Sequence, residues 1–253
     1  MGLRGLRVVC LLLLAVTSVC QPVPLGGAVS FALLAKTYIS GTTSTIQGLG
    51  GGHIGAVTYV ELPTMTVDAS NMFSTTTQSD GLVYISSMHA EPTKSLVADA
   101  LSDMDEAYAD AWSRPMSEPA STNPAEIGGH TYTPGVYHWP AAVGIASDIY
   151  IKGDANDLFI FKVAAHVVLA ASAKVRLLVD DFGRGPPQPR NIVWVTGEYF
   201  TFGDSAHVEG ILLVGHYITF GNKASLNGRA LAQHYVTVST STIIAPPPSP
   251  PPS

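Results

Sequence analysis

The chain has 253 residues, of which 46% are hydrophobic and 13% charged, enough to bury one large core in a single main domain. A formal charge of −6, from 13 basic and 19 acidic residues with no Lys/Arg cluster, provides no electrostatic footprint for nucleic acid or an anionic membrane, and neither is expected as a partner. The two cysteines, Cys10 and Cys20, both precede residue 21, so a chain that loses that segment has no disulfide, cysteine nucleophile or thiolate metal ligand.

Arg4 and Arg7 stand before the apolar run Val8 to Val16, and Ser18 and Cys20 precede Gln21. This is the pattern of a secretory signal peptide over residues 1–20, too short for a membrane span, and it predicts a secreted, extracellular protein. From Leu25 to Ile46, β-branched stretches broken by glycine predict short strands. Gly50-Gly51-Gly52-His53-Ile54-Gly55 matches G-x-G-x-x-G, but Val57-Thr58-Tyr59-Val60 and Pro63 follow where a phosphate-cradling helix would begin, so tight corners are expected there. Residues 64–90 read as loop and irregular strand.

Pro92-Thr93-Lys94-Ser95 opens one long helix at about 93–113, with Ser or Thr as its cap and Leu96, Ala100, Met104, Ala107 and Ala111 on its apolar face. Asp99, Asp103, Asp105, Glu106 and Asp110 fall mostly on the opposite, solvated side, and Pro115 and Pro119 end the helix. Strand signal then runs nearly unbroken to Ile244. Leu158-Phe159-Ile160-Phe161 and Asn191-Ile192-Val193-Trp194-Val195 are apolar runs of the kind found where both faces of a strand are covered.

The most regular stretch is Tyr199 to Ile243. Tyr199-Phe200-Thr201-Phe202-Gly203 returns as Tyr217-Ile218-Thr219-Phe220-Gly221 and as Tyr235-Val236-Thr237-Val238-Ser239, each time 18 positions later. Gly197 and Gly215, Ala206 and Ala224, and Gly210 and Gly228 share the period. A fixed period marks stacked equivalent units, and 18 residues make about three short strands and three corners, one coil of a triangular β-solenoid. Ala173-Lys174-Val175 aligns with Ala206-His207-Val208 once Asp181 to Pro189 is taken as an inserted loop. Alternation turns the Phe, Ile and Val positions inward and sets a column of Tyr beside a column of Thr outside. The Thr column is either a rigid array for a regular ligand or an expression of threonine's β propensity alone. Pro246 to Ser253 is a polyproline II segment, and the predicted division is 21–244 for the domain and 245–253 for a Pro/Ser-rich tail.

Eight histidines and 19 carboxylates form no H-E-x-x-H pair, nucleophile elbow, P-loop or zinc spacing, and no cofactor or metal is expected. Asp180, Asp181, Arg184 and Arg190 are the acid/base and cation set a polysaccharide-cleaving solenoid would need, although charged residues around a Gly/Pro loop are ordinary solvent contacts. His166, His207, His216 and His234 read as surface or corner histidines.

The chain from about Leu25 to Ile244 resembles the secreted microbial ice-binding proteins. The carrying stretches are Leu33-Leu34-Ala35, Ala107-Tyr108-Ala109-Asp110-Ala111, Gly128-Gly129, Thr133-Pro134-Gly135-Val136-Tyr137, Phe159-Ile160-Phe161, Asn191 to Val195, Gly228-Arg229-Ala230-Leu231-Ala232 and Val236-Thr237-Val238. The resemblance implies a mainly β fold, a right-handed, discontinuous triangular β-solenoid with one long α-helix packed along it. It also implies non-catalytic adsorption to ice. The expected contact residues are the Thr column of the repeat, Thr201, Thr219 and Thr237, with Asn222, Ser225 and Thr240, and a monomer is expected. Asp204-Ser205-Ala206-His207 and Asn222-Lys223-Ala224-Ser225 stand where relatives tend to carry a Thr-Gly-x-Thr-like turn. An extracellular carbohydrate-binding or adhesion module is the alternative, with Tyr199, Tyr217 and Tyr235 as the stacking platform.

Overall fold

The computed structural model describes residues 21–48, 52–117 and 126–247; the predicted signal peptide, Gly50 and Gly51 of the glycine motif, and the tail beyond Pro247 lie outside them. The described chain is mainly β with one long helix, Thr93–Ser113. It passes in turn through three stacks of parallel strands: Gly135–Trp139 lies in the first, Val143–Ile145 in the second and Ile149–Gly153 in the third, and Phe159–Val163 then returns to the first.

The first stack runs Gly135–Trp139, Phe159–Val163, Ile192–Thr196, His207–Val214, Ser225–Ala232, Phe31–Ala35, His53–Ala56 and Val83–Ile85. The order breaks sequence: the N-terminal strand Phe31–Ala35 lies between Ser225–Ala232 and His53–Ala56, with Leu33 opposite Ala230 on one side and Ile54 on the other. Both faces of this sheet are buried. Phe159, Phe161, Trp194 and Leu212 point into the core enclosed by the three stacks. Ile160, Val193, Val195 and Leu213 point the other way, against Val97, Ala100, Met104 and Ala107 of the helix. That double burial is why these strands read as unbroken apolar runs.

The helix buries Ala100, Met104, Ala107 and Ala111 of its predicted face but not Leu96, and it lacks the predicted cap. Leu96 is 43% exposed, and the buried stripe is Val97, Ala100, Leu101, Met104, Ala107 and Ala111. Spacing of i, i+3, i+4 and i+7 from Val97 keeps these residues on one side of the cylinder, whereas Leu96 falls outside that arc. No Ser or Thr hydroxyl caps the N-terminus: Pro92 holds the cap position and Thr93 Oγ1 donates to Met72 O. Glu91 instead accepts from Ser95 N at 3.3 Å and Ser95 Oγ at 3.0 Å. The acidic side is not wholly solvated, since Asp103 accepts from Gly27 N at 2.6 Å and Asp105 bonds Lys36 and Gln233, each at 2.7 Å. At the other end Lys162 Nζ, from the sheet beneath, donates to Trp112 O and Arg114 O at 2.8 Å, satisfying carbonyls the helix leaves open.

The 18-residue period corresponds to register between stacked strands. His207–Val214 and Ser225–Ala232 pair residue for residue, with Gly210 opposite Gly228. On either side of Gly228 the strand Ser225–Ala232 has different neighbours: Ser225 to Asn227 pair with Thr242 to Ile244, while Ala230 to Ala232 pair with Leu33 to Ala35. A Cβ at Gly228 would lie 1.6 Å from Gly210 O, so the close approach of the two backbones requires glycine. Lys174 bridges to His207, as the 33-residue offset requires, and Asp181 to Gln188 form the insertion between strands. The last strand, Thr242–Ala245, runs past the predicted domain end: Ala245 is fully buried, and Pro246 is buried with its carbonyl accepting from Arg229.

Candidate functional site

With the first sheet under the helix, the second is left open among the described residues. Its seven strands run in the order Val143–Ile145, Val167–Leu169, Phe200–Phe202, Ile218–Phe220, Tyr235–Val238, Tyr38–Gly41 and Tyr59–Glu61. Phe200, Ile218, Val236 and Ile39 form one inward column, and Phe202, Phe220 and Val238 another, all at or below 3% exposure. Thr201, Thr219 and Thr237 therefore face outward in register, continued by Ser40 and Glu61 on one side and Val168 on the other. Thr237 Oγ1 donates to Thr219 Oγ1 at 3.3 Å.

The tyrosines beside that column form a continuous ladder longer than the repeat predicts. His166, Tyr199, Tyr217, Tyr235, Tyr38 and Tyr59 stack in that order with centroid spacings of 4.3, 5.1, 4.9, 4.8 and 4.9 Å and interplanar angles of 1–6°. Tyr38 and Tyr59 belong to the N-terminal strands inserted into the stack, so no sequence period announces them. Stacking contributes about 0.5–1.5 kcal/mol per pair beyond burial and stiffens the sheet. It also occupies the ring faces. A sugar needs an open aromatic face, and the inner rings present only edges and hydroxyls, so the platform expected for a carbohydrate-binding module is absent along Tyr199, Tyr217 and Tyr235. Burial, with the neighbouring Tyr38 and Tyr217 phenols, holds the Tyr235 hydroxyl above the ordinary phenol range, which keeps that part of the ladder uncharged.

The ladder stands as a ridge beside a shallow trough lined by Ser40, Thr42, Glu61, Thr219, Thr237 and Ser239. Glu61 brings one charge into the row from the last strand, and Glu198 lies beside His166, whose Nδ1 is 2.9 Å from Glu198 Oε2.

The remaining predicted contact residues separate. Asn222 and Thr240 occupy the corners that leave the open sheet, where Ser239 Oγ bonds Asn222 Oδ1 at 3.0 Å and Thr42 Oγ1 accepts from Thr240 N at 3.2 Å. Ser205, Lys223 and Thr240 at these corners hold φ of 59°, 59° and 48°, left-handed backbone without glycine. Ser225 lies around the corner in the third stack, its Oγ 2.8 Å from His207 Nδ1, and does not share a face with Thr201, Thr219 and Thr237.

The charged loop resolves into ion pairs. Asp181 binds Lys152 at 2.5 Å, Arg184 binds Asp180 at 2.6 Å and Asp154 at 3.1 Å, and Arg190 stands apart in the short turn Pro189–Asn191. Arg184 draws the Asp180 carboxyl below the usual range by backbone and side-chain hydrogen bonds, which suits a fixed counter-ion better than a proton donor. Among the described residues no group of three His, Asp or Glu side chains is placed to hold a metal ion.

A stack of parallel strands, with one sheet under a helix and another displaying threonines in register, is a β fold that presents an ordered surface. The chain belongs to the ice-binding-like family, whose model matches residues 33–244. It is 33% identical over 194 residues to an ice-binding protein of Flammulina populicola, covering 76% of this chain and 75% of that one. Ice-binding protein K1-A of Typhula ishikariensis is 33% identical over 192 residues, with 76% of each chain covered. Among solved structures, a glycosylated ice-binding protein from an Arctic yeast superposes with a TM-score of 0.81 at 27% identity, covering 92% of this chain and 97% of that one.

Proposed function

We propose that this chain is a non-catalytic protein that adsorbs to ice through its open sheet and thereby inhibits ice growth or recrystallisation. The observation that carries this reading is the register of Thr201, Thr219 and Thr237 on the sheet that the helix does not cover. Side chains fixed on stacked strands about 4.8 Å apart lose little freedom on contact, so many weak methyl and hydroxyl contacts add without a large ordering cost. Neutral side chains hold water loosely enough for it to join the crystal. Asn222 and Thr240 form the rim of the contact, and Ser225 lies outside it.

The three stacks form a right-handed triangular solenoid, a reading supported by the repeated passage of the chain through them in one order. Residues 1–20 are a signal peptide and the product is secreted, with 21–246 as its folded domain and the proline-rich residues beyond as a tail. It acts as a monomer.

The test is a micro-osmometer and recrystallisation assay on the purified chain, run with Thr219→Lys and Ser225→Lys. Thr219 is partly exposed, so its replacement preserves the fold while a long cation interrupts the centre of the array. Thr219→Lys removes most of the activity and Ser225→Lys leaves it unchanged. Crystals growing unshaped at the control rate in wild-type protein overturn the function; full activity in Thr219→Lys moves the contact to another face.

A further inference from the structure

The first and last described segments of the chain meet at the covered sheet and border a cavity of about 230 Å³ that opens to solvent on one side. Pro22, Pro24 and Val29 wall it from the segment before the first strand, Ile211 from the sheet and Pro247 from the exit of the last strand. Two arginines, Arg190 and Arg229, complete the lining.

Arg229 is 1% exposed. Its Nε donates to Val29 O at 2.8 Å and its Nη2 to Pro246 O at 2.6 Å, both neutral acceptors that leave the positive charge uncompensated. Among the described residues the arginines that form ion pairs are Arg114, Arg176 and Arg184, so neither arginine of the cavity has a carboxylate partner there. Asp103, which packs against Gly26 at the cavity rim, spends its Oδ2 on the Gly27 N–H. Burial lowers the Arg229 guanidinium to about 10, the sign of a cation held away from water without a counter-charge. Such an arrangement costs free energy that an anion entering the cavity would recover.

A planar carboxylate suits the Arg190 guanidinium fork together with the Nη1 and Nη2 hydrogens of Arg229 that Val29 O and Pro246 O leave over. The proline, valine and isoleucine walls offer nothing to the further oxygens of a phosphate, and they suit a short hydrocarbon body. The volume lies below the roughly 300–1,000 Å³ of sites for drug-sized molecules, so the ligand is small. We propose that this cavity is a binding site for a small organic carboxylate, its head group between Arg190 and Arg229 and its apolar body against the prolines. The site is independent of the open sheet.

The full chain, titrated by calorimetry and by thermal melts with sodium butyrate, acetate and phosphate against chloride at equal ionic strength, tests the assignment. Butyrate binds saturably at one site per chain and raises the melting temperature, acetate binds more weakly and phosphate more weakly still. Arg190→Gln, at a partly exposed position where the fold tolerates change, weakens butyrate binding about tenfold through loss of a charged donor pair. Val29→Trp fills the cavity with both arginines in place and abolishes binding. Absence of saturable butyrate binding in the wild type, unchanged affinity in Arg190→Gln, or preference for phosphate over butyrate would overturn the proposal.

Discussion

Replacing Lys162 by methionine tests how the helix is fastened over its sheet. The methionine keeps the apolar stem of a residue that is 8% exposed, and it removes both 2.8 Å bonds to Trp112 O and Arg114 O. Bonds from a charged donor are worth about 1.5–3 kcal/mol each. Burial, however, holds the Lys162 ammonium below the ordinary lysine range and offsets part of that gain. A net loss of about 2–4 kcal/mol remains once two carbonyls are left without their donor. For a domain of this size that lowers the melting temperature by about 5–15 °C. Lys36→Met is the control: Lys36 pairs with Asp105 at 2.7 Å, but the side chains are 36% and 47% exposed, so screening confines the cost to about 0–1 kcal/mol.

A second readout separates this account from simple loss of packing. The His138 imidazole lies below its ordinary range through burial and, secondarily, the Lys162 charge beside it, so its titration midpoint rises in Lys162→Met when followed by NMR. Equal melting temperatures for the two variants, or an unmoved His138 midpoint, would refute the reasoning.

Two further predictions concern acid and backbone conformation. His53 Nδ1 accepts from Leu82 N, and His89 Nδ1 from Ile85 N, each at 3.0 Å, and desolvation lowers both imidazoles, with Asp80 partly opposing this at His53. The unfolded chain therefore takes up protons below the ordinary value of 6.5 before the folded chain does, so stability is full above that pH and falls as the pH drops toward the depressed folded values. Urea midpoints at pH 7.5, 6.0 and 5.0 check this; they decline, and His89→Asn reduces the decline, whereas equal midpoints at 7.5 and 5.0 contradict it. Lys223→Gly relieves a left-handed conformation at φ 59°. The strain of about 1–2 kcal/mol exceeds glycine's extra unfolded-state entropy of about 0.5–1 kcal/mol, so melts show a gain of about 0.5–1 kcal/mol, and a loss disproves the strain.

The sequence was most legible where stacked strands repeat the same environment. Tyr199, Tyr217 and Tyr235 recur because one coil sits on the next in register, and glycine recurs at 210 and 228 because two backbones approach closely there. It was least legible where contacts are distant in sequence. Nothing near Tyr38 says that its ring continues a ladder begun at His166, since that follows from where the N-terminal strands insert. The choice of covered sheet did leave a signal: Phe159-Ile160-Phe161 and Ile192 to Val195 are apolar on both faces, whereas Phe200-Thr201-Phe202 and Ile218-Thr219-Phe220 alternate. The strands without alternation are those the helix overlies. The sequence sets Ser225 beside the threonines because nothing in the Asn222 to Ala224 corner marks which face the following strand joins.

The insertion of Phe31–Ala35 beside Ser225–Ala232 also fixes an order of events during synthesis. Five buried, apolar residues leave the ribosome well before Ser225–Ala232, one of the two strands that flank them. A continuous repeat array can grow unit by unit as it emerges. This chain closes its sheet only after its final coil is translated, so its apolar first strand stays in need of protection until then, and completion waits on a contact spanning most of the polypeptide. In return, both ends of the folded domain are held within the stack, and peeling it apart cannot begin from a loose outermost strand at either terminus.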